Sequence, residues 1–284
     1  MSEKNREETR SARERLQQER DEQNVSEKRR RTLIVSAAVV GALGLAAVIG
    51  LIAANAGEDE EVDVARPAAA PSGANGKDDL AIPVGAPDAP STLTVWEDFR
   101  CPACAQFENT FRSTINKLEK AGKLKVEYHL VTLIDNNMGG SGSLNAANAA
   151  ACAQDVGEFA PYHDVLFKNQ PPETEDTYAR NSRLLDLAGR VDGLERAPGF
   201  RQCVEGGLHN AWVNKSAAAF RAGRFSGTPT VLLNGEPVFP KKGNEEITPA
   251  NLQKWVAAAD KGKKPGTVSP SAPRSAPADS TPSA

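Results

Sequence analysis

The chain has 284 residues, 34 basic and 37 acidic side chains for a net charge of −3, and only 5% aromatic residues. So balanced a charge excludes bulk attraction to nucleic acid, and the length allows one large or two small domains.

Residues 1–31 are almost wholly polar, interleave Arg with Glu, and end in Lys28-Arg29-Arg30-Arg31. That fits a charged cytoplasmic tail, helical or disordered, with no core of its own. From Leu33 to Ala54 there are 22 residues without a charge, which as a helix span roughly 33 Å, the depth of a bilayer core. Soluble buried helices of that length normally keep a polar face, so 32–56 reads as a transmembrane signal-anchor. The basic cluster abuts its N-terminal end and Glu58-Asp59-Glu60-Glu61 follows its far end. By the positive-inside rule the N-terminus stays in the cytoplasm and everything after residue 57 is exported. Ala54-Asn55-Ala56 also has the small-x-small form of a signal-peptidase site, so cleavage after Ala56 and secretion is the alternative. The long apolar run and long charged lead favour the retained anchor. Both readings put the remainder where disulfides persist, and four cysteines suit two pairs.

Residues 57–80 are acidic, then rich in Ala, Pro and Gly, and read as a flexible linker. Residues 263–284, dominated by Pro, Ser, Ala and Thr, read as a disordered tail. One domain of ordinary size, 81–262, lies between them. Its first strand is Leu93 to Phe99, rich in β-branched and aromatic residues. Phe107, Phe111, Ile115 and Leu118 recur at helical spacing and Gly122 sits where that helix stops. Leu124, Val126, Tyr128 and Leu130 then alternate with polar residues in a second strand, which completes a βαβ unit with parallel strands. A helical insert follows at about 143–223, with helix-compatible patterns at 146–155, 162–169, 181–190 and 209–223. The chain returns to β at Thr230 to Leu233, turns at Asn234-Gly235, and continues through Glu236 to Phe239, where Pro237 marks an edge strand. Thr248 caps a last helix that opens with Pro249. The order is βαβ, helical insert, ββα, an α/β fold.

Cys101 and Cys104 sit where the first strand hands over to its helix. A structural zinc site wants four ligands, but Cys152 and Cys203 stand apart and His129, His163 and His209 are scattered, so no metal is expected. Each histidine reads as an ordinary surface or helix residue. As a staple, a disulfide closing four residues is worth only about 2 kcal/mol, against about 4 kcal/mol for one closing the loop from 152 to 203. Electron transfer explains the placement better. A sulfur at a helix N-terminus faces unsatisfied N–H groups and the positive end of the dipole, which stabilise the thiolate. Pro102 suits the first helical turn. Arg100 adds positive charge, unless it is simply solvated. Cys101 is then the nucleophile and Cys104 the resolving thiol.

The stretches VGAPDAP (84–90), VWEDFRCPACAQFE (95–108) and SGTPTVLLNGEPV (226–238), in that order around a helical insert, resemble the DsbA-like branch of the thioredoxin-fold disulfide oxidoreductases. The resemblance covers essentially all of 81–262 and implies a thioredoxin-like fold. It implies that Pro229, in the loop Gly227-Thr228-Pro229, is cis beside the cysteines, with Thr228 offering backbone groups to an extended substrate peptide. It implies an exported enzyme that introduces disulfides into proteins with cysteines. No cofactor is needed beyond its redox-active disulfide, which a quinone-linked membrane protein, DsbB-like or vitamin K epoxide reductase-like, reoxidises. Two departures stand out. Ala103 occupies the place of the histidine found in strongly oxidising members, so a higher thiolate pKa and a less oxidising disulfide are expected. Val95 occupies the place of the family's buried acid. Glu97, on the same strand face, is either the proton acceptor for Cys104 or a solvent-facing or salt-bridged residue. A reductase or isomerase, or a tethered peptide-binding module with an inert disulfide, are the alternatives. Cys152 and Cys203 read as a structural disulfide pinning the insert, with two free buried thiols as the alternative.

Overall fold

A computed structural model describes residues 68–267. The charged N-terminal segment, the apolar run at 33–54 and the chain beyond 267 lie outside the described residues. Among those described, no helix is long and apolar enough to cross a membrane.

The central sheet consists of β1 (Ile82–Gly85), β2 (Ser91–Glu97), β3 (Leu124–Leu130), β4 (Thr230–Leu233) and β5 (Glu236–Pro237), in the spatial order β1-β3-β2-β4-β5. β2 and β3 pair in parallel, with Val95 opposite Tyr128 and Glu97 opposite Leu130. Parallel neighbours need a crossover, supplied by α1 (Pro102–Lys120). β4 runs antiparallel to β2, and β5, carrying Pro237, is an edge strand where a missing N–H costs no ladder bond. β1 is an addition to the expected order. It lies antiparallel on β3, and as a four-residue Ile-Pro-Val-Gly segment it shows no readable alternation.

Alternation along β2 decides what lies on each face of the sheet. Leu93 and Val95 join Phe107, Phe111, Ile115 and Leu118 of α1 in the main core, where each buried apolar side chain contributes about 1.5–3 kcal/mol. Trp96, facing the other way, packs with Val131, Ala217 and Phe220 in a smaller cluster.

The insert comprises α2 (Leu133–Met138), α3 (Gly142–Asp155), α4 (Phe159–Lys168), α5 (Asn181–Ala188), α6 (Phe200–Gly206) and α7 (Asn210–Ala222); α8 (Pro249–Ala259) follows the sheet. α3 is its axis. Ala146, Ala147, Ala149, Ala150, Ala151 and Ala153 are all buried, because small side chains let helices approach from several sides at once. Thr248 caps α8 as expected, its hydroxyl accepting from Asn251 N at 3.1 Å.

Two segments read as loose are packed. Residues 68–80, placed in the linker, form a strap over α3 and α7. Ser72 N donates to Asp155 Oδ1 at 2.7 Å, Gln154 Nε2 to Ser72 O at 2.8 Å, and Trp212 Nε1 to Asp79 O at 2.7 Å. His209 lies between Ala69 O (2.8 Å from Nδ1) and Asp155 Oδ2 (2.7 Å from Nε2). At the other end, the first residues of the expected tail fold back: Gly266 N donates to Gly122 O at 2.7 Å and Thr267 N to Asp88 Oδ1 at 2.8 Å. Gly122 has φ 64°, and a Cβ there would lie 2.3 Å from Gly266 O. No histidine among the three lies at the surface: His129, His163 and His209 are all buried, His163 within α4.

Candidate active site

Strand order alone brings the two expected halves of the site together. Because β2 and β4 are antiparallel, with Trp96 opposite Thr230, the loop leaving β2 and the loop entering β4 emerge at one edge of the sheet. The first carries Cys101 and the second carries Gly227, Thr228 and Pro229. The Thr228–Pro229 bond is cis, and Thr230 Oγ1 donates to Gly227 O at 2.7 Å. Cys101 Sγ meets the second loop at Thr228 O, 3.3 Å away.

Asp98 organises the turn into α1. Its carboxylate accepts from Arg100 N and Ile134 N, each at 2.8 Å, and its carbonyl from Cys101 N at 3.0 Å. Cys101 is the N-cap of α1, and Pro102 fills the first helical position, where no N–H is missed. Cys101 and Cys104 are free thiols, the first 6% exposed and the second wholly buried. The Cys101 thiol is pulled down from 9.0 to about 6. Hydrogen bonding from Cys104 is the largest single cause, burial opposes it, and Thr228 and the N–H groups of Cys104 and Ala103 add to it. Those N–H groups point at the sulfur from the first turn without closing a capping hydrogen bond in the thiol form. The Thr228 hydroxyl is buried and has no other partner among the described residues, which leaves it available to a thiolate. Ala103 contributes no polar side-chain atom. Burial, then the hydrogen bond and charge of Cys101, hold the Cys104 thiol well above its ordinary value. The two sulfurs are therefore unequal: one ionises readily and the other keeps its proton.

Behind Cys104 lies a buried polar cluster in which Glu97, the expected candidate, is joined by Glu108 and His163. Glu97 is wholly buried and its Oε1 lies 2.7 Å from His163 Nε2. Glu108 of α1 sits beside both, and Arg112, paired with Asp164, adds positive charge. Burial raises Glu97 well above the usual carboxylate range, and burial followed by the charge of Glu97 raises Glu108 to about 8. Burial also pushes His163 down to about 4. Both partners thus favour their neutral forms, and the Glu97–His163 contact is a hydrogen bond rather than an ion pair. The solvent-facing reading of Glu97 fails, since the residue has no exposure. Glu97, Glu108 and His163 offer three possible metal-ligand atoms within 4.8 Å of one another, but the Arg112 charge works against a cation there.

Arg100 is neither solvated nor aimed at the sulfur. It is 3% exposed, pairs with Asp135 at 2.6 Å and Asp176 at 3.2 Å, and donates to Gly139 O and Glu173 O. Asp135 and Asp176 in turn accept from the first N–H groups of α3 and the residue before it. Arg100 thereby ties the cysteine loop to the insert. Gln170, also unanticipated, donates from Nε2 to Phe99 O and Cys101 O, each at 2.9 Å. Cys152 of α3 and Cys203 of α6 are bonded, with Cα atoms 5.8 Å apart, away from this loop.

The family model described as Thioredoxin matches residues 77–258. The chain belongs to the thioredoxin family. Its fold is similar to crystalline reduced DsbA from Mycobacterium tuberculosis, with 27% identity and a TM-score of 0.55 over 66% of this chain and 95% of that one. Disulfide bond formation protein D of Bacillus subtilis is 26% identical over 157 residues, 55% of this chain and 68% of that protein. The serine/threonine-protein kinase PknE of Mycobacterium tuberculosis is 29% identical over 158 residues, 52% of this chain. The chain spans 27% of that kinase's length. Within its family the chain is DsbA-like.

Proposed function

We propose that this chain is a membrane-tethered thiol-disulfide oxidoreductase that introduces disulfides into exported proteins. The observation that carries the reading is the inequality of two nearby thiols, with Cys101 at a helix N-terminus beside Thr228 and Cys104 wholly buried, within the electrostatic reach of Glu97. The names of the similar proteins, DsbA and a disulfide bond formation protein, support the same chemistry. A substrate thiolate attacks the Cys101 sulfur of the oxidised pair. The Cys101–Cys104 bond breaks, and Cys104 leaves and takes a proton from Glu97. A second substrate thiolate then displaces Cys101, which departs as a stabilised thiolate. The substrate loses two electrons and two protons and gains a disulfide. In reoxidation Cys101 first forms a mixed disulfide with a quinone-linked membrane partner, DsbB-like or vitamin K epoxide reductase-like; Cys104 gives up its proton to the ionised fraction of Glu97 and attacks Cys101, and the partner's sulfur leaves with the electrons. Thr228 and the edge beside Pro229 receive the substrate as an extended strand, which suits many unfolded sequences. The uncharged run at 33–54 and its flanking charges support a cytoplasmic N-terminus and an extracytoplasmic domain.

Trapping tests the reading. In full-length Cys104→Ala protein treated with oxidised glutathione, Cys101 carries a mixed disulfide from which a substrate thiolate expels glutathione. No neighbouring thiol then resolves the adduct. Reduced, unfolded ribonuclease should accumulate as a dithiothreitol-sensitive adduct that Cys101→Ser/Cys104→Ala protein does not form. Equal or absent adducts in the two proteins would refute it.

A further inference from the structure

The loop carrying Cys101 is gripped from the insert at two points, and the grips differ. Arg100 reaches outward to the insert's carboxylates, whereas Gln170 reaches inward to the loop's own backbone. The Gln170 amide donates to the carbonyls of Phe99 and Cys101, which flank the Arg100–Cys101 step, both at 2.9 Å. Gln170 is itself held in place. It follows the α4 cap Asn169, whose N–H closes on Val165 O and Leu166 O, and it precedes Pro171, which restricts it to extended backbone.

The Cys101 carbonyl belongs to the peptide that joins Cys101 to Pro102 and also accepts from Cys104 N and Ala105 N. Its orientation is set by the ψ of Cys101, 118°, which together with φ aims the side chain. A side chain that ties this carbonyl to that of Phe99 therefore fixes the Cα–Cβ bond from which the sulfur hangs, although it never touches the sulfur. We infer that Gln170 is a positioning residue for the Cys101 thiolate, holding the sulfur toward the N–H groups of Ala103 and Cys104 and toward Thr228. Glutamine suits the task because one amide nitrogen has two N–H groups for two carbonyls, which glutamate and methionine lack. The significance of this role rests on the oxidoreductase reading, but its test does not use turnover.

The test is the 240 nm absorbance of the thiolate in reduced full-length protein as pH is varied, with Cys101→Ser as the blank. Gln170→Ala, Gln170→Met and Gln170→Glu should each raise the midpoint by about one pH unit, a tenfold lower thiolate-to-thiol ratio at a given pH. Gln170→Lys, which restores donors, should return it to the wild-type midpoint or below. Unchanged midpoints in Gln170→Met and Gln170→Glu proteins that remain folded would overturn the inference and leave Gln170 a purely structural contact. A wild-type midpoint near 9 would instead count against the oxidoreductase reading itself, so the two failures are distinguishable.

Discussion

Cys101 and Cys104 stand three residues apart at the mouth of a helix and are free, whereas Cys152 and Cys203 stand 51 apart on two packed helices and are bonded. Around the first pair gather N–H groups, a buried hydroxyl and a carboxylate-imidazole cluster; around Cys152 stand the buried alanines of α3. Loop length and surroundings thus divide the labour. A short loop is worth little as a cross-link but keeps the resolving thiol within reach of its partner, while a long loop restricts the unfolded chain and needs no activated sulfur.

The comparison can be broken most severely by exchanging the roles of the pairs. Cys101→Ser should reduce disulfide exchange to background and leave the melting temperature nearly unchanged. Cys152→Ala/Cys203→Ala should do the reverse, costing about 4 kcal/mol of stability, seen in denaturant unfolding, while exchange per folded molecule persists. Loss of exchange in folded double-alanine protein would end the division. A smaller effect should follow from Glu97→Gln, which keeps the shape beside His163 but removes the titratable group. Release of a mixed disulfide by Cys104 should slow by about a hundredfold, the scale of one positioned general base, and recover as pH rises. An unchanged release rate would remove Glu97 from the mechanism.

The smallest effect concerns the strap beside the structural pair. Both His209 nitrogens face acceptors, Ala69 O and Asp155 Oδ2, so the docked strap holds an imidazolium. Burial alone would lower His209, but Asp155 and Ala69 outweigh it and keep the group above its ordinary 6.5. Burial likewise would raise Asp155, but the His209 and Ser72 hydrogen bonds and the His209 charge hold it below 3.8. The His209 contribution is therefore complete below 6.5 and lost as pH rises through its raised value. The Asp155 contribution is complete above 3.8 and lost as pH falls through its lowered one. Amide exchange at Ser72, corrected for intrinsic rates, should lose about 1 kcal/mol of protection on the alkaline side. Protection that stays flat there, or is unchanged by His209→Ala, would contradict it.

What the sequence made legible follows the same physics. Alternation in β2 and β3 and the apolar stripe of α1 are local signals, and they placed the βαβ unit and Cys101 correctly within it. α3 begins earlier than its pattern suggests, since a helix buried on nearly every side shows no amphipathic stripe. α2 and α6, of six and seven residues, are too short to declare themselves by periodicity. The strap was hidden because its contacts run through Ala69 O, Ser72 N and Asp79 O, backbone atoms that composition does not report. Glu108 and His163 did leave a trace, as polar residues on the buried stripes of α1 and α4. Their convergence on Glu97, like the grip of Gln170, is tertiary and has no local signature.

The reduction potential of the Cys101–Cys104 pair tests the central claim most directly. Full-length protein would be equilibrated in glutathione buffers and its redox state read by alkylation of Cys101 and mass spectrometry. A disulfide-introducing enzyme with a stabilised Cys101 thiolate predicts a potential well above the roughly −270 mV of thioredoxin. A value at or below that figure would contradict the account and turn the direction of electron flow around.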